Sequence, residues 1–196
     1  MLSFSGIIMA YEEPKYDVIE KSDVFELRAY KPFIVAEAFV DGSLDEASNK
    51  GFRLIADYIF GNNKSQAGAS EKISMTIPVT MEPKSEKISM TAPVSMQESS
   101  GKWRMHFVMP SKYTLETLPA PNNAEVKLRE VPAKKFAVVR FSGFAGEEKT
   151  AKKTEELLIW LEGKQIKPSG TPELARYNAP WTLPFLRRNE VMVEYQ

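Results

Sequence analysis

The chain contains no cysteine. Disulfides, thiolate nucleophiles and cysteine-ligated metals are therefore excluded. It has a single histidine, His106. A Ser-His-Asp triad would have to use it, and no nucleophile elbow accompanies it. One histidine without cysteine does not make a zinc site of the usual kind. Phosphate-loop and dinucleotide fingerprints are missing as well. Neither charge sign dominates: Lys+Arg and Asp+Glu each number 26. That balance argues against a dedicated nucleic-acid binder, whose footprint is a basic excess. No segment reaches the roughly 18–20 apolar residues of a membrane helix. The opening MLSFSGIIMA lacks a basic start, and Ser3, Ser5 and Gly6 break its apolar run, so it reads as a poor export signal. The expectation is a cytoplasmic monomer, with the periplasm as the alternative, and a flexible segment over residues 1–10.

What is present is repetition. SEKISMTIPVTM at 70–81 recurs as SEKISMTAPVSM at 85–96, with ten of twelve positions identical. Ile73, Met75, Ile77, Val79 and Met81 alternate along one face, with Ile88, Met90, Ala92, Val94 and Met96 repeating it. That is the period of a half-buried strand, with Lys72, Ser74, Thr76 and Thr80 opposite. Pro78 and Pro93 lack a donor and belong at an edge, bend or bulge. The sulfur-rich face suits ordinary core, or an adaptable pocket for a flat apolar ligand.

A longer repeat has an offset of 101 residues: FELRAY (25–30) aligns with VKLREV (126–131), Ala36 with Ala137, and Gly42 with Gly143. Each half reads strand, strand, helix, strand, strand, over about 15–116 and 125–196, with TLPAPNNA (117–124) between them. The predicted fold is α+β: a distorted eight- to nine-stranded barrel with two helices and a pseudo-twofold axis, forming one domain over 11–196.

The first helix is predicted to begin at a capping box, Ser43 with Glu46, and to end at Gly61-Asn62. Leu44, Ala47, Gly51, Leu54, Ile55 and Tyr58 form its inner stripe. A second uncharged row, Phe52, Ala56 and Ile59, makes the arc wider than one seam needs. Such a helix is buried on two sides, or has one side on the sheet and the other on a ligand. The second helix, about 146–162, turns Ala151, Leu157, Leu158 and Leu161 inward. Gly61 to Glu71 reads as a mobile loop.

His106 alternates onto the face of Arg104 and Val108, opposite Trp103, Met105 and Phe107, and is expected at a rim or surface. Near the C-terminus, Tyr177, Trp181 and Phe185 interleave with Pro180 and Pro184, and Arg187 and Arg188 follow. The prolines present these aromatics at low entropic cost. An apolar concavity, soft walls and rim cations suit a planar hydrophobic acid.

At these residues the chain resembles the SOUL haem-binding protein family. The resemblance is carried by YDVIEKSDVFELRAY, by KISMTIPV and KISMTAPV, by FVMPSKY, and by RRNEV after an aromatic-proline loop. It implies a distorted barrel with two helices that binds haem or related tetrapyrroles non-covalently, without an established reaction. A histidine serving as axial ligand in some members corresponds to Ala29 here, so that ligation is not expected. The apolar helix positions correspond to Phe52 and Ala56; the basic ones correspond to Asn49, Asp57 and Leu183, none of them basic. Lys50, Arg53, Arg187 and Arg188 are the nearby cations. The expected ligand site is thus Phe52, Ala56, Ile59, Tyr177, Trp181 and Phe185, with those four cations and no metal site of its own. The alternatives are an effector-binding or protein-interaction module without haem, and, less favoured, an enzyme on the same scaffold.

Overall fold

A computed structural model describes residues 12–83, 102–179 and 181–196. Strands β1 (Tyr16–Ser22), β2 (Phe25–Tyr30) and β3 (Phe33–Asp41) lead into helix α1 (Leu44–Ile59). β4 (Asn63–Lys64), β5 (Val79–Pro83), β6 (Lys102–Val108) and β7 (Ala120–Pro121) follow. β8 (Lys127–Val131) and β9 (Lys134–Phe141) lead into α2 (Glu147–Gly163). β10 (Glu173–Arg176), a single 3-10 turn at Pro184–Leu186, and β11 (Asn189–Glu194) complete the chain.

Nine strands form one antiparallel sheet in the order β1-β2-β9-β11-β10-β5-β6-β3-β8, and β4 pairs with β7 separately. The barrel is left open, because β1 and β8 are edges. The sheet has one helix-covered face. Ala36, Ala38 and Val40 of β3, Met105 and Phe107 of β6, and Val191 and Val193 of β11 meet Leu44, Ala47, Ile55, Leu157 and Leu161 there. Among the described residues no helix covers the opposite face, yet Arg28, His106 and Glu190 on it are buried. Curling of the sheet and the segment Glu12–Lys15 enclose it: the Ile77 amide donates to the Glu12 carbonyl at 3.0 Å, and the Lys31 amide to the Lys15 carbonyl at 3.0 Å.

The capping box forms as its spacing predicts: the Glu46 amide donates to the Ser43 hydroxyl, and the Ser43 amide donates to the Glu46 carboxylate at 3.0 Å. Helix α2 starts on Gly146, which offers no capping side chain. Instead its first residue, Glu147, accepts from the Leu44 amide at 3.0 Å, which joins the two helix starts. Gly51 is the close-approach point of α1: a Cβ there would lie 2.8 Å from the Met105 sulfur and 3.0 Å from its Cβ. Trp160 of α2 stacks on Phe25 of β2 with ring centroids 5.1 Å apart.

The repeated phrase departs from the strand expectation. Of residues 70–81, only 79–81 lie in a strand; Thr76 makes an isolated bridge to Glu12, and the Ile77–Pro78 peptide is cis. Pro78 therefore sits at a bend just before β5, as its missing donor requires. The alternation shifts there: Ile73 and Met81 join the core, but Thr76 and Thr80 are buried too. The Thr76 hydroxyl donates to the Val108 carbonyl, so burial leaves its polar group satisfied. Of the two readings of the sulfur-rich face, Met81 takes the first, as a core residue at 1% exposure, while Met75 is half-buried. The second copy, 85–96, lies outside the described residues, as does the segment 1–10.

Candidate functional site

The C-terminal loop is anchored beside the first turns of α1. Arg176, the last residue of β10, donates to the Ser48 hydroxyl at 3.0 Å and the Ala145 carbonyl at 2.9 Å, and lies 3.7 Å from Asp45. Phe52 is one turn beyond Ser48 on the same face of α1, since residues four apart stack along a helix. From Arg176 the loop runs out and returns along Gly143-Phe144: the Gly143 amide donates to the Pro184 carbonyl at 2.8 Å. Asn189 closes it, donating through its side-chain amide to the Gly143 carbonyl at 2.9 Å.

Several residues of the expected site are exposed on α1 and on this loop. Phe52 is 38% exposed, leaning on Phe107 with centroids 5.6 Å apart. Trp181 is 85% exposed and Phe185 70%. Lys50 and Arg53 are exposed on α1, Lys50 donating to the Asp41 carbonyl at 3.2 Å. Arg187 holds the loop from within: its Nε donates to the Thr182 carbonyl at 2.8 Å, and its guanidinium lies 5.0 Å over the Phe144 ring. Ala56 is buried at the foot of this surface, with 6% exposure. The two sides do not plug one another, because Trp181 stands clear in solvent.

Three expected residues are placed elsewhere. Ile59 is fully enclosed in the core between α1 and the sheet. Tyr177 and Arg188 belong to the helix-free face. There Arg28 holds Glu190 in a two-pronged pair at 2.8 and 3.0 Å, and the Tyr177 hydroxyl donates to Glu190 at 2.7 Å. Arg188 lies 3.7 Å over the Tyr177 ring and bridges Glu190 to Glu13 of the N-terminal segment, at 2.9 and 3.1 Å. Burial works against the charge of Glu190, but hydrogen bonds and attraction from Arg28, then Arg188 and Tyr177, hold its carboxyl below the usual range. Sequence reasoning missed this cluster. Its signal was available: Arg28 and Glu190 both sit inside apolar strand patterns, where an unpaired charge is not tolerated.

His106 is also corrected. It alternates with Arg104 and Val108 as predicted, but it is 6% exposed, not at a rim. Burial, with Arg104 and Arg129 nearby, pulls its pKa down to about 3, so it is neutral. Its register partners are Glu37 on β3 and Thr80 on β5. On the same face, Arg104 pairs with Glu82 of β5 and lies 3.7 Å from Glu173 of β10. Burial, then the Glu82 charge, pushes the Glu173 carboxyl up to about 8. The native state thus keeps a proton that the unfolded chain has lost, between about pH 4.5 and pH 8, and stability falls as pH rises through that window. Glu173→Gln is expected to flatten this slope and to be more stable than the parent at pH 8 by roughly 1–3 kcal/mol. Urea unfolding at pH 5.0, 6.5 and 8.0 reads it, and parallel pH profiles for the two proteins would refute it.

A groove of about 500 Å³ opens between the N-terminal segment, the β2–β3 turn and the loop after β6. Phe33, Ile34, Val108, Met109, Tyr113 and Leu115 are among its walls, and no residue of α1 or of the C-terminal loop lines it. Among the described residues no group of three or more His, Cys, Asp or Glu side chains is placed to hold a metal, and no helix is long and apolar enough to cross a membrane.

The SOUL heme-binding protein profile matches residues 11–86 and 82–194. The chain belongs to the SOUL heme-binding protein family. No curated protein matches its sequence. Among solved structures, the EcmrR C-terminal domain resembles this SOUL protein with a TM-score of 0.62 and 13% identity, over 92% of this chain and 98% of that one. EcmrR in its DNA complex gives 0.61 and 12%, over 88% and 58%. A hydrolase from Listeria innocua gives 0.59 and 10%, over 91% and 94%. At these identities the likeness is one of fold alone. Within that fold, Phe52, Trp181 and Phe185 are exposed on α1 and the C-terminal loop, and Lys50 and Arg53 on α1. They do not fit a histidine-ligated iron: position 29 is alanine, and the chain's one histidine is interior to the opposite face of the sheet.

Proposed function

We propose that this SOUL protein binds haem or a related tetrapyrrole non-covalently on an open shelf between α1 and the loop 177–188, as a binding protein rather than an enzyme. Family membership supports the ligand class. The observation that supports the position is the exposure of Phe52, Trp181 and Phe185, with Lys50 and Arg53 also exposed on α1. Phe52 and Ala56 form one wall, and Trp181 and Phe185 the other. Lys50, Arg53 and Arg187 face the ring's carboxylates. Arg188, on the opposite face of the sheet, fixes the loop root through Glu190. Bound haem would supply iron, but none of these side chains is a strong iron ligand, so the ring itself must provide the affinity.

The internal duplication is part of the same reading. The order of strands supports it: counted inward, β2-β9-β11-β10 on one side answers β8-β3-β6-β5 on the other. Likeness of fold to the EcmrR C-terminal domain supports the second reading, an effector-binding module.

Titration decides between them. Haem is expected to give a shifted Soret band that saturates near one equivalent. Metal-free protoporphyrin should bind within about threefold of it, since a missing iron ligand removes the main difference between the two. His106→Ala should leave the haem spectrum unchanged. A featureless titration at micromolar concentration, with thermal stabilisation by cationic dyes instead, would replace haem by the effector reading.

A further inference from the structure

The nine-stranded sheet has one weak joint. Only Leu174, Ala175 and Arg176 of β10 pair with Met81, Thr80 and Val79 of β5. Every other pair of neighbouring strands in that sheet has a longer register. The joint is where β1-β2-β9-β11-β10 meets β5-β6-β3-β8. One residue further in the same register, Glu173 would stand opposite Glu82, and the ladder stops there. Like charges directly opposite across an antiparallel pair are destabilising. At its other end the ladder closes on Arg176, which roots the C-terminal loop through Ser48 and Ala145.

The charges around Glu173 do not balance. Arg104 of β6 pairs with Glu82 and lies 3.7 Å from Glu173. Lys134 of β9 and Arg129 of β8 also attract Glu173, but each holds a carboxylate of its own. Lys134 holds Glu194 of β11 at 2.5 Å, and Arg129 holds Glu37 of β3 at 3.0 Å; Glu37 reaches Arg104 only at 4.0 Å. His106, two residues along β6 from Arg104, is buried and neutral and adds no charge. Among the described residues Arg104 is therefore left to serve both Glu82 and Glu173. A proton on one of the two supplies the missing positive charge, and burial together with the Glu82 charge keeps it on Glu173 up to about pH 8.

We propose that the joint between β10 and β5 is a proton-operated latch, closed while Glu82 and Glu173 share one proton and parting locally in alkali while the rest of the sheet stays folded. This goes beyond the loss of stability derived for Glu173, because it fixes where the molecule opens. A ladder of so few rungs has little to hold it once the end beside Glu173 repels. Its last rung is the loop root, so an open latch releases Arg176 from Val79. The device does not depend on what the loop binds.

Hydrogen exchange of the full chain, without added ligand, reads the latch when protection is corrected for the intrinsic rate at each pH. A carboxyl whose pKa is raised in the closed state favours closure fully below its ordinary value and loses that advantage as pH climbs to about 8. Between pH 6 and pH 8, protection at 79–81 and 174–176 is expected to fall roughly 10- to 100-fold. At pH 8 these amides should exchange at least about tenfold faster than those of Ala36 and Ala38 on β3, and their rate should barely respond to low urea, since a local opening exposes little surface. Glu173→Gln should abolish the pH-dependent part of the loss. Glu82→Gln, which leaves Arg104 one carboxylate, should do the same and keeps the test decisive if the first variant does not fold. Joint amides as well protected as those of β3 at pH 8, with the same urea response, would mean that only global unfolding occurs and would overturn the latch. So would a pH-dependent loss that persists in either folded variant.

Discussion

Glu190→Leu is expected to lower the unfolding free energy by about 3–5 kcal/mol, the scale of removing one partner from a buried ion pair. Arg28 is 1% exposed and Glu190 is wholly buried, so neither recovers hydration when the other is removed. Glu26 still reaches Arg28 Nε at 2.7 Å, but the two-pronged contact is lost and the Tyr177 hydroxyl loses its acceptor. Arg188 would keep Glu13 alone. For a chain of this size, each kcal/mol moves the melting temperature by about 2–4 °C, so a fall of roughly 6–20 °C is expected. Arg28→Leu/Glu190→Leu should recover most of the loss, because the pair as a whole offsets its own desolvation only narrowly. Thermal and urea unfolding of the parent, the single variant and the double variant make the measurement. A single variant within about 1 kcal/mol of the parent would show that the cluster is not the clamp described.

The same cluster sets the acid limit. The folded carboxyl of Glu190 titrates below its unfolded value, so its contribution is full above the unfolded pKa of roughly 4.3 and is lost as pH falls through the folded one. Its slope is therefore opposite in sign to that of Glu173. The two carboxylates stand on one curled face, yet one has two arginines and a tyrosine while the other shares Arg104 with a second carboxylate.

Most of the architecture was legible in the chain. The 101-residue repeat placed β2 and β8, alternation placed β6, and Ser43 with Glu46 fixed the start of α1 to the residue. The repeated phrase misled because alternation measures sidedness and not pairing: Ile73 to Pro78 follows the pattern of a strand while its backbone lies outside the sheet. Sequence periodicity also assigns polar residues to solvent by default. A curled sheet has two insides, and that default fails for Arg28, His106, Thr80 and Glu190. On the shelf, residue type picked out Phe52, Trp181 and Phe185, which are exposed. It could not separate them from Tyr177 and Arg188, which are adjacent in sequence but point through the sheet to the other face.

Phe52→Ser/Trp181→Ser is expected to weaken haem binding about 70-fold. The two side chains offer one apolar surface on each wall, and stripping them forfeits roughly 100 Å² of contact with the ring. At about 25 cal/mol per Å² this is about 2.5 kcal/mol, which converts to that ratio. Arg53→Ala/Arg187→Ala should cost less, about three- to tenfold at low salt, because exposed ion pairs contribute about 0.2–1 kcal/mol each and are screened. The order of the two effects is the informative result. If ring burial supplies most of the affinity, the apolar pair must lose more, and lose it equally at 0.05 and 0.5 M salt. A larger loss from the cation pair, fading at high salt, would mean that the carboxylates are the anchor and that Phe52 and Trp181 stand idle. The aromatic pair does not open the core, since Phe52 only leans on Phe107 from outside and Trp181 touches solvent on most of its surface. A change in haem affinity therefore reports on the shelf and not on loss of the fold.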